Sequence, residues 1–160
     1  MNVLGIDPGL VNTGYGIISS INNNFELIDY GVIKTNSKDK LSNRLKIIFN
    51  EVNQLINKYN PKVLSIEEIF YSKNVKSSLL LGHARGVAMA AASVNEMLVY
   101  EFAARKVKQS LTGNGNAHKD QVRFMVKNLL KMNEAPKSED ASDALGIALC
   151  YMFQNKLEHL

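Results

Sequence analysis

With 160 residues, 46% hydrophobic and 21% charged, the chain reads as one globular domain over residues 1–160 rather than a disordered segment. Its single cysteine, Cys150, excludes an internal disulfide and a zinc site built from several thiolates. The net charge of +4 is uneven: Lys/Arg and Asp/Glu number seven and seven from Met1 to Ser72, ten and three from Lys73 to Lys131, and two and five beyond. Such a basic middle segment suits a polyanionic partner, although a solvated basic face has the same composition.

Val3-Leu4-Gly5-Ile6 reads as a short buried strand ending on Asp7, with Pro8-Gly9 as the turn that stops it. Thr13 to Ser20 is a second strand, Asn22-Asn23-Asn24 a hairpin turn, and Phe25 to Lys34 a third strand returning antiparallel. Ser37 to Asp39 can cap a helix. Its apolar positions recur from Leu41 through Leu45, Ile48, Val52 and Ile56 to Tyr59, and Asn60-Pro61 stops it. Val63-Leu64-Ser65-Ile66 is another buried strand, and it too ends on carboxylates, Glu67 and Glu68.

A polar loop, Phe70 to Asn74, leads to a helix over Val75–Asn95. Its small-residue face (Gly82, Gly86, Ala90, Ser93) allows close packing within the subunit or across a dimer. Met97 to Glu101 is a fifth strand. Helices follow over Arg105–Ser110, His118–Lys131 and Ser138–Gln154, with a break at Gly113 to Gly115. This order predicts an α/β fold: a five-stranded mixed sheet, its first three strands antiparallel, with helices on both faces. The alanine-rich run Gly86–Val94 is too short to span a bilayer, and no signal peptide is visible, so a cytoplasmic protein is expected.

Ligand sites in α/β sheets favour strand ends, which is where Asp7 and Glu67 fall. Asp7 taken alone is better explained by an Asx turn over Pro8-Gly9, and only the rest of the chain shifts that balance. Asp140 and Asp143 lie three apart and share a helix face that continues through Ala144, Ile147, Ala148 and Tyr151. Helix-dipole compensation explains Asp140 well and Asp143, a turn further in, less well. If these four converge, their like charges repel or take up protons unless cations neutralise them. All-oxygen donors suit Mg²⁺ or Mn²⁺, and two such ions about 4 Å apart serve in-line displacement at phosphate.

The basic residues divide similarly. Arg105-Lys106-Val107-Lys108 points cations in several directions around one turn, and Lys119, Arg123 and Lys127 form a stripe at helical spacing. Either phosphate contact or plain solvation accounts for each. Phe70 and Tyr71 suit base stacking if exposed, or loop anchoring if buried. Gly113 and Gly115 admit a phosphate or make an ordinary loop. His83 reads as packing, and His118 as an auxiliary near nucleic acid.

Several stretches, nearly end to end, carry a family resemblance: GIDPG followed by TGYG, SIEEIFYSKN, LGHARGVA, EFAARKVKQSLTGNGNAHKDQV and EDASDALGIA. The chain resembles the RuvC family of Holliday-junction resolvases, within the ribonuclease H-like superfamily. That resemblance implies a three-layer ribonuclease H-like fold and a structure-selective endonuclease that resolves four-way DNA junctions by symmetric paired nicks, in recombination and repair. By it the catalytic and metal-binding acids fall on Asp7, Glu67, Asp140 and Asp143, with two Mg²⁺ per site and Mn²⁺ as a substitute. The stacking aromatic falls on Phe70 and DNA-contacting lysines on Lys108 and Lys119. Tyr71, Lys73, Lys76, Arg105 and Arg123 are expected as further DNA contacts. The implied partners are a second copy of the chain and a branch-migration motor of the RuvA and RuvB type. Leu10-Val11-Asn12 and Glu68 depart from the family pattern near the acids. Two other readings remain open on the residues: an ATP-binding protein of the actin-like type, from Asp7-Pro8-Gly9 with Thr13-Gly14, and a non-catalytic nucleic-acid binder.

Overall fold

A computed structural model of the chain describes residues 1–21, 24–69 and 74–158, with side chains through Asn155. The elements are β1 (Asn2–Asp7), β2 (Asn12–Ile21), β3 (Asn24–Lys34), α1 (Leu41–Tyr59), β4 (Val63–Glu67), α2 (Val75–Val94), β5 (Leu98–Phe102), α3 (Ala104–Thr112), α4 (Lys119–Leu129) and α5 (Glu139–Glu158). The strands lie in the order β3-β2-β1-β4-β5. β1 to β3 form the expected antiparallel meander; β4 runs parallel to β1, and β5 parallel to β4.

Strand periodicity sorts the side chains onto two faces. Leu4, Ile6, Ile17, Leu64 and Ile66 pack on one face against Ile48, Val52 and Ile56 of α1 and the buried alanines of α2. Val3, Ile18 and Val63 take the other face, under α3, α4 and α5. Gly5 and Ser65 share the parity of Val3 and Val63, so they also meet α5. A Cβ on Gly5 would stand 2.1 Å from the carbonyl oxygen of Ala144, and one on Gly14 would stand 2.0 Å from that of Asp140. Only the missing side chains let the helix backbone come this close. The buried Ser65 hydroxyl then donates to the Ile147 carbonyl at 2.8 Å, tying β4 to the same helix. Ala144 through Met152 are buried, as expected of a helix embedded in a core.

One local expectation is corrected. Ser37 to Asp39 do not cap α1: the cap position is Lys40, with no side-chain bond, because the residues before it form a turn of their own. The stop at Asn60 is as expected, with φ 45° in the left-handed region that Asn tolerates. The face Gly82, Gly86, Ala90, Ser93 is exposed, and among the described residues nothing lies within 4 Å of a Cβ built on Gly82 or Gly86. Ala84, Ala88, Ala91 and Ala92 make the buried face, so of the two expected uses of the small-residue face only the one across a dimer stays open. Among the described residues no helix is long and apolar enough to cross a membrane.

Gly5→Ala forces α5 off the sheet, so the expected outcome is a loss of roughly 1–3 kcal/mol or more, by analogy with overpacked cores. Urea unfolding checks it; a variant as stable as the parent means that α5 rides on the sheet without close contact.

Candidate active site

β1 and β4 are parallel neighbours with Ile6 opposite Ile66, so Asp7 and Glu67 leave the sheet side by side. By parity both carboxylates point to the α5 face. α5 begins over the same place and contributes Asp140 and Asp143. All four acids line one cleft of about 350 Å³, joined by Lys108 of α3, Lys119 of α4, Glu139, and the apolar side chains of Val107, Val122 and Ile147.

The charges work against one another. Burial, then the charges of Glu67, Asp143 and Asp140, push the Asp7 carboxyl up to about 8. Glu67 and Asp143 are also raised, chiefly by burial. A proton kept on Asp7 is shared with the Glu67 carboxylate, which accepts a hydrogen bond from it. Lys119 gives partial relief: its ammonium lies 3.6 Å from Glu139 and 3.9 Å from Asp143. With Lys119 mostly exposed, these pairs are weak and exchangeable. The donor set is carboxylate only, half-buried and short of positive charge, which is the chemistry of a hard divalent cation site. Among the described residues no three His, Cys, Asp or Glu side chains already stand in a geometry that holds an ion.

The remaining candidates divide. Lys108 reaches the cleft. Arg105 is exposed and lies across Gly115, whose missing side chain leaves room for its aliphatic stem and Nε. Lys76 is exposed at the start of α2, outside the cleft. Arg123 is a correction: its guanidinium donates to the Pro136 carbonyl and its Nε is buried, so it anchors the α4–α5 connection instead of continuing a phosphate-facing stripe. His83 is exposed and bonds the Leu79 carbonyl, so it is no packing residue. His118 is the cap position of α4, and Gly113 ends α3 with φ 76°. Leu10 drops into the core, and Glu68 is exposed outside the cleft. Phe70, Tyr71 and Lys73 lie outside the described residues.

Sequence reasoning gave no role to Arg85. Its Nε donates to the Glu67 backbone carbonyl at 3.1 Å, and its guanidinium pairs with Glu101 of β5. It therefore clamps the end of β4, where the Glu68 amide also bonds Phe102 at 3.0 Å. A cation at the edge of an alanine face was the available signal, but Glu101 lies on another element.

A family model, "Crossover junction endodeoxyribonuclease RuvC", matches residues 3–151 of this chain. The chain belongs to the RuvC family. Similar proteins of that name include one from Alkaliphilus metalliredigens, 43% identical over 160 residues (100% of this chain, 98% of the relative). Another, from Caldicellulosiruptor saccharolyticus, is 47% identical over 156 residues (97% and 94%). The structure of Thermus thermophilus RuvC in complex with Holliday junction substrate superposes with TM-score 0.94 at 31% identity, covering 99% of this chain and 96% of that one. The ribonuclease H-like fold expected from the resemblance is the one present.

The raised Asp7 carboxyl fixes a pH dependence. In metal-free protein Asp7 keeps its proton to about pH 8 when folded but ionises near 3.8 when unfolded. The native state thus binds more protons across that window, and the Asp7 contribution to stability falls as pH rises through it. Asp7→Asn removes the effect. In chelator at pH 8 its expected melting temperature is several degrees above the parent's; a lower one means that the parent does not bury an uncompensated charge there.

Proposed function

We propose that this chain is a cytoplasmic, Mg²⁺-dependent nuclease that resolves four-way DNA junctions by paired symmetric nicks, acting as one domain over residues 1–160 and as a homodimer. The carrying observation is the convergence of Asp7, Glu67, Asp140 and Asp143 on one cleft beside Lys108 and Lys119, in a chain of the RuvC family. The donor set fits Mg²⁺, with Mn²⁺ as a substitute, and these four acids would hold it. When bound, a pair of such ions supplies Lewis-acid activation of water and charge for the departing 3′ oxygen.

The chain's own residues do the rest. Asp7 would release its proton to solvent when the site is loaded, leaving it a carboxylate beside that of Glu67. Lys119 exchanges its weak pairing with Glu139 for a phosphate oxygen, and Lys108 meets the same backbone from α3. The apolar side chains of Val107, Val122 and Ile147 limit water on the helix side of the cleft. In this reading Phe70 stacks on a base at the crossover and Tyr71, Lys73, Lys76 and Arg105 steady the arms, while Arg123 has an internal role. The second copy is supported by the outer face of α2, where Gly82 and Gly86 lie open beside exposed Leu79 and Leu81. A motor of the RuvA and RuvB type is the expected partner on the DNA.

The experiment is cleavage of a synthetic mobile four-way junction beside matched linear duplex, in Mg²⁺ and in chelator. Symmetric nicks only on the junction and only with metal are expected. Asp7→Asn is expected to lower cleavage by orders of magnitude while junction binding holds. Equal nicking of duplex would make it a general nuclease, and binding without nicks a non-catalytic junction binder.

A further inference from the structure

The even charge count of the first 72 residues hides a steep local imbalance. No Lys or Arg occurs before Lys34, and the next thirteen positions, 34–46, hold five of them against the single acid Asp39. Lys34, Lys38, Lys40 and Lys46 are all exposed, and among the described residues none of their ammonium groups is in an ion pair.

The fold brings this segment to the catalytic end of the sheet. Asp7 of β1 is opposite Gly14 of β2, which is opposite Val32 of β3, and Lys34 follows two residues on. Lys34 is therefore two strands from β1, about 10 Å across the sheet. It lies on the side away from β4 and β5, whose chain leads into α3 and Lys108.

The segment is also fixed in place. Buried Thr35 donates its amide to the Val11 carbonyl at 2.9 Å and its hydroxyl to the Leu10 carbonyl, stitching the turn to the loop that follows Asp7. Arg44 Nε donates to the same hydroxyl at 2.9 Å. Asn36 shapes the turn, its side chain accepting from the Lys38 amide at 3.0 Å. α1 then follows its cap residue Lys40 with no acid in its first turn, an arrangement that costs helix stability unless negative charge arrives from outside.

We propose that the β3–α1 turn, through Lys34, Lys38 and Lys40, is a second DNA-backbone surface that holds a junction arm on the flank of the cleft opposite α3. This rests on the junction-cleavage reading above. The partner is recognised by phosphate charge alone, so the surface adds affinity and salt sensitivity and no sequence preference. The chemical step is left to the acids of the cleft.

The test is binding of a synthetic four-way junction in chelator across a salt titration, for the parent, K34Q/K38Q/K40Q, its charge-keeping counterpart K34R/K38R/K40R, and a control, K62Q/K131Q, at the far end of the sheet. Every phosphate that a lysine no longer neutralises lowers the slope of log K against log salt by about 0.9, so a fall of about 2–3 is expected for the Gln triple only. Its cleavage rate at saturating junction in Mg²⁺ is expected to match the parent's. An unchanged slope, or an equal fall in the control, overturns this surface while leaving the cleavage reading intact. A parent that neither binds nor cuts the junction overturns both.

Discussion

The seating of α5 on β1 and β2 is the contact on which the rest of the molecule depends. Two acids come from strand ends and two from a helix start, and nothing in a sheet requires those two origins to meet. They meet because Gly5 and Gly14 leave no side chain between the strand and the helix backbone. The Ser65 hydroxyl then registers β4 against the same helix. Once α5 is at that height, the three-residue spacing of Asp140 and Asp143 and the parity of Asp7 and Glu67 aim all four at one volume. The glycines therefore hold the site together as much as the acids do.

That arrangement is electrostatically unfavourable by itself, and the surroundings limit the damage without removing it. Asp7 is held near 8 because it is buried among like charges. Lys119 is too exposed to neutralise the cluster, and its two acidic neighbours are 3.6 and 3.9 Å away. Carboxylates left short of positive charge have a strong appetite for small cations. The cores on both faces of the sheet supply the stability that lets such a cleft exist within a folded chain.

Most of the sheet was legible because its signals are local. Short apolar runs ending on acids, a turn at Pro8-Gly9 and a stop at Asn60-Pro61 each act within a few residues. The four acids were legible too, from strand ends and helix spacing, with the family resemblance singling them out. What was not legible depends on contacts between distant segments. Arg123 looks like part of a basic stripe until Pro136 folds over to receive its guanidinium. Arg85 has no evident role until β5 brings Glu101 beside it. The small-residue face of α2 was visible as a pattern, but which face of the helix the subunit would bury was decided by the alanines two positions away. Counting charge over the whole stretch from Met1 to Ser72 likewise averaged an acid-only start over the basic turn that follows it.

α2 joins features that are otherwise separate. On its inner side Arg85 grips the carbonyl of Glu67, so the end of β4 is held by this helix as well as by β5. On its outer side Gly82 and Gly86 leave the backbone open to close approach. The connection between β4 and α2 carries Phe70, the residue proposed above to stack on a base. A helix of 20 residues is stiff over the few turns that separate these points. Whatever packs on the outer face thus bears on Glu67 through a single rigid element. Pairing of subunits along α2 would thereby constrain each cleft directly, which is a physical route by which two sites can be set to act on opposed strands together.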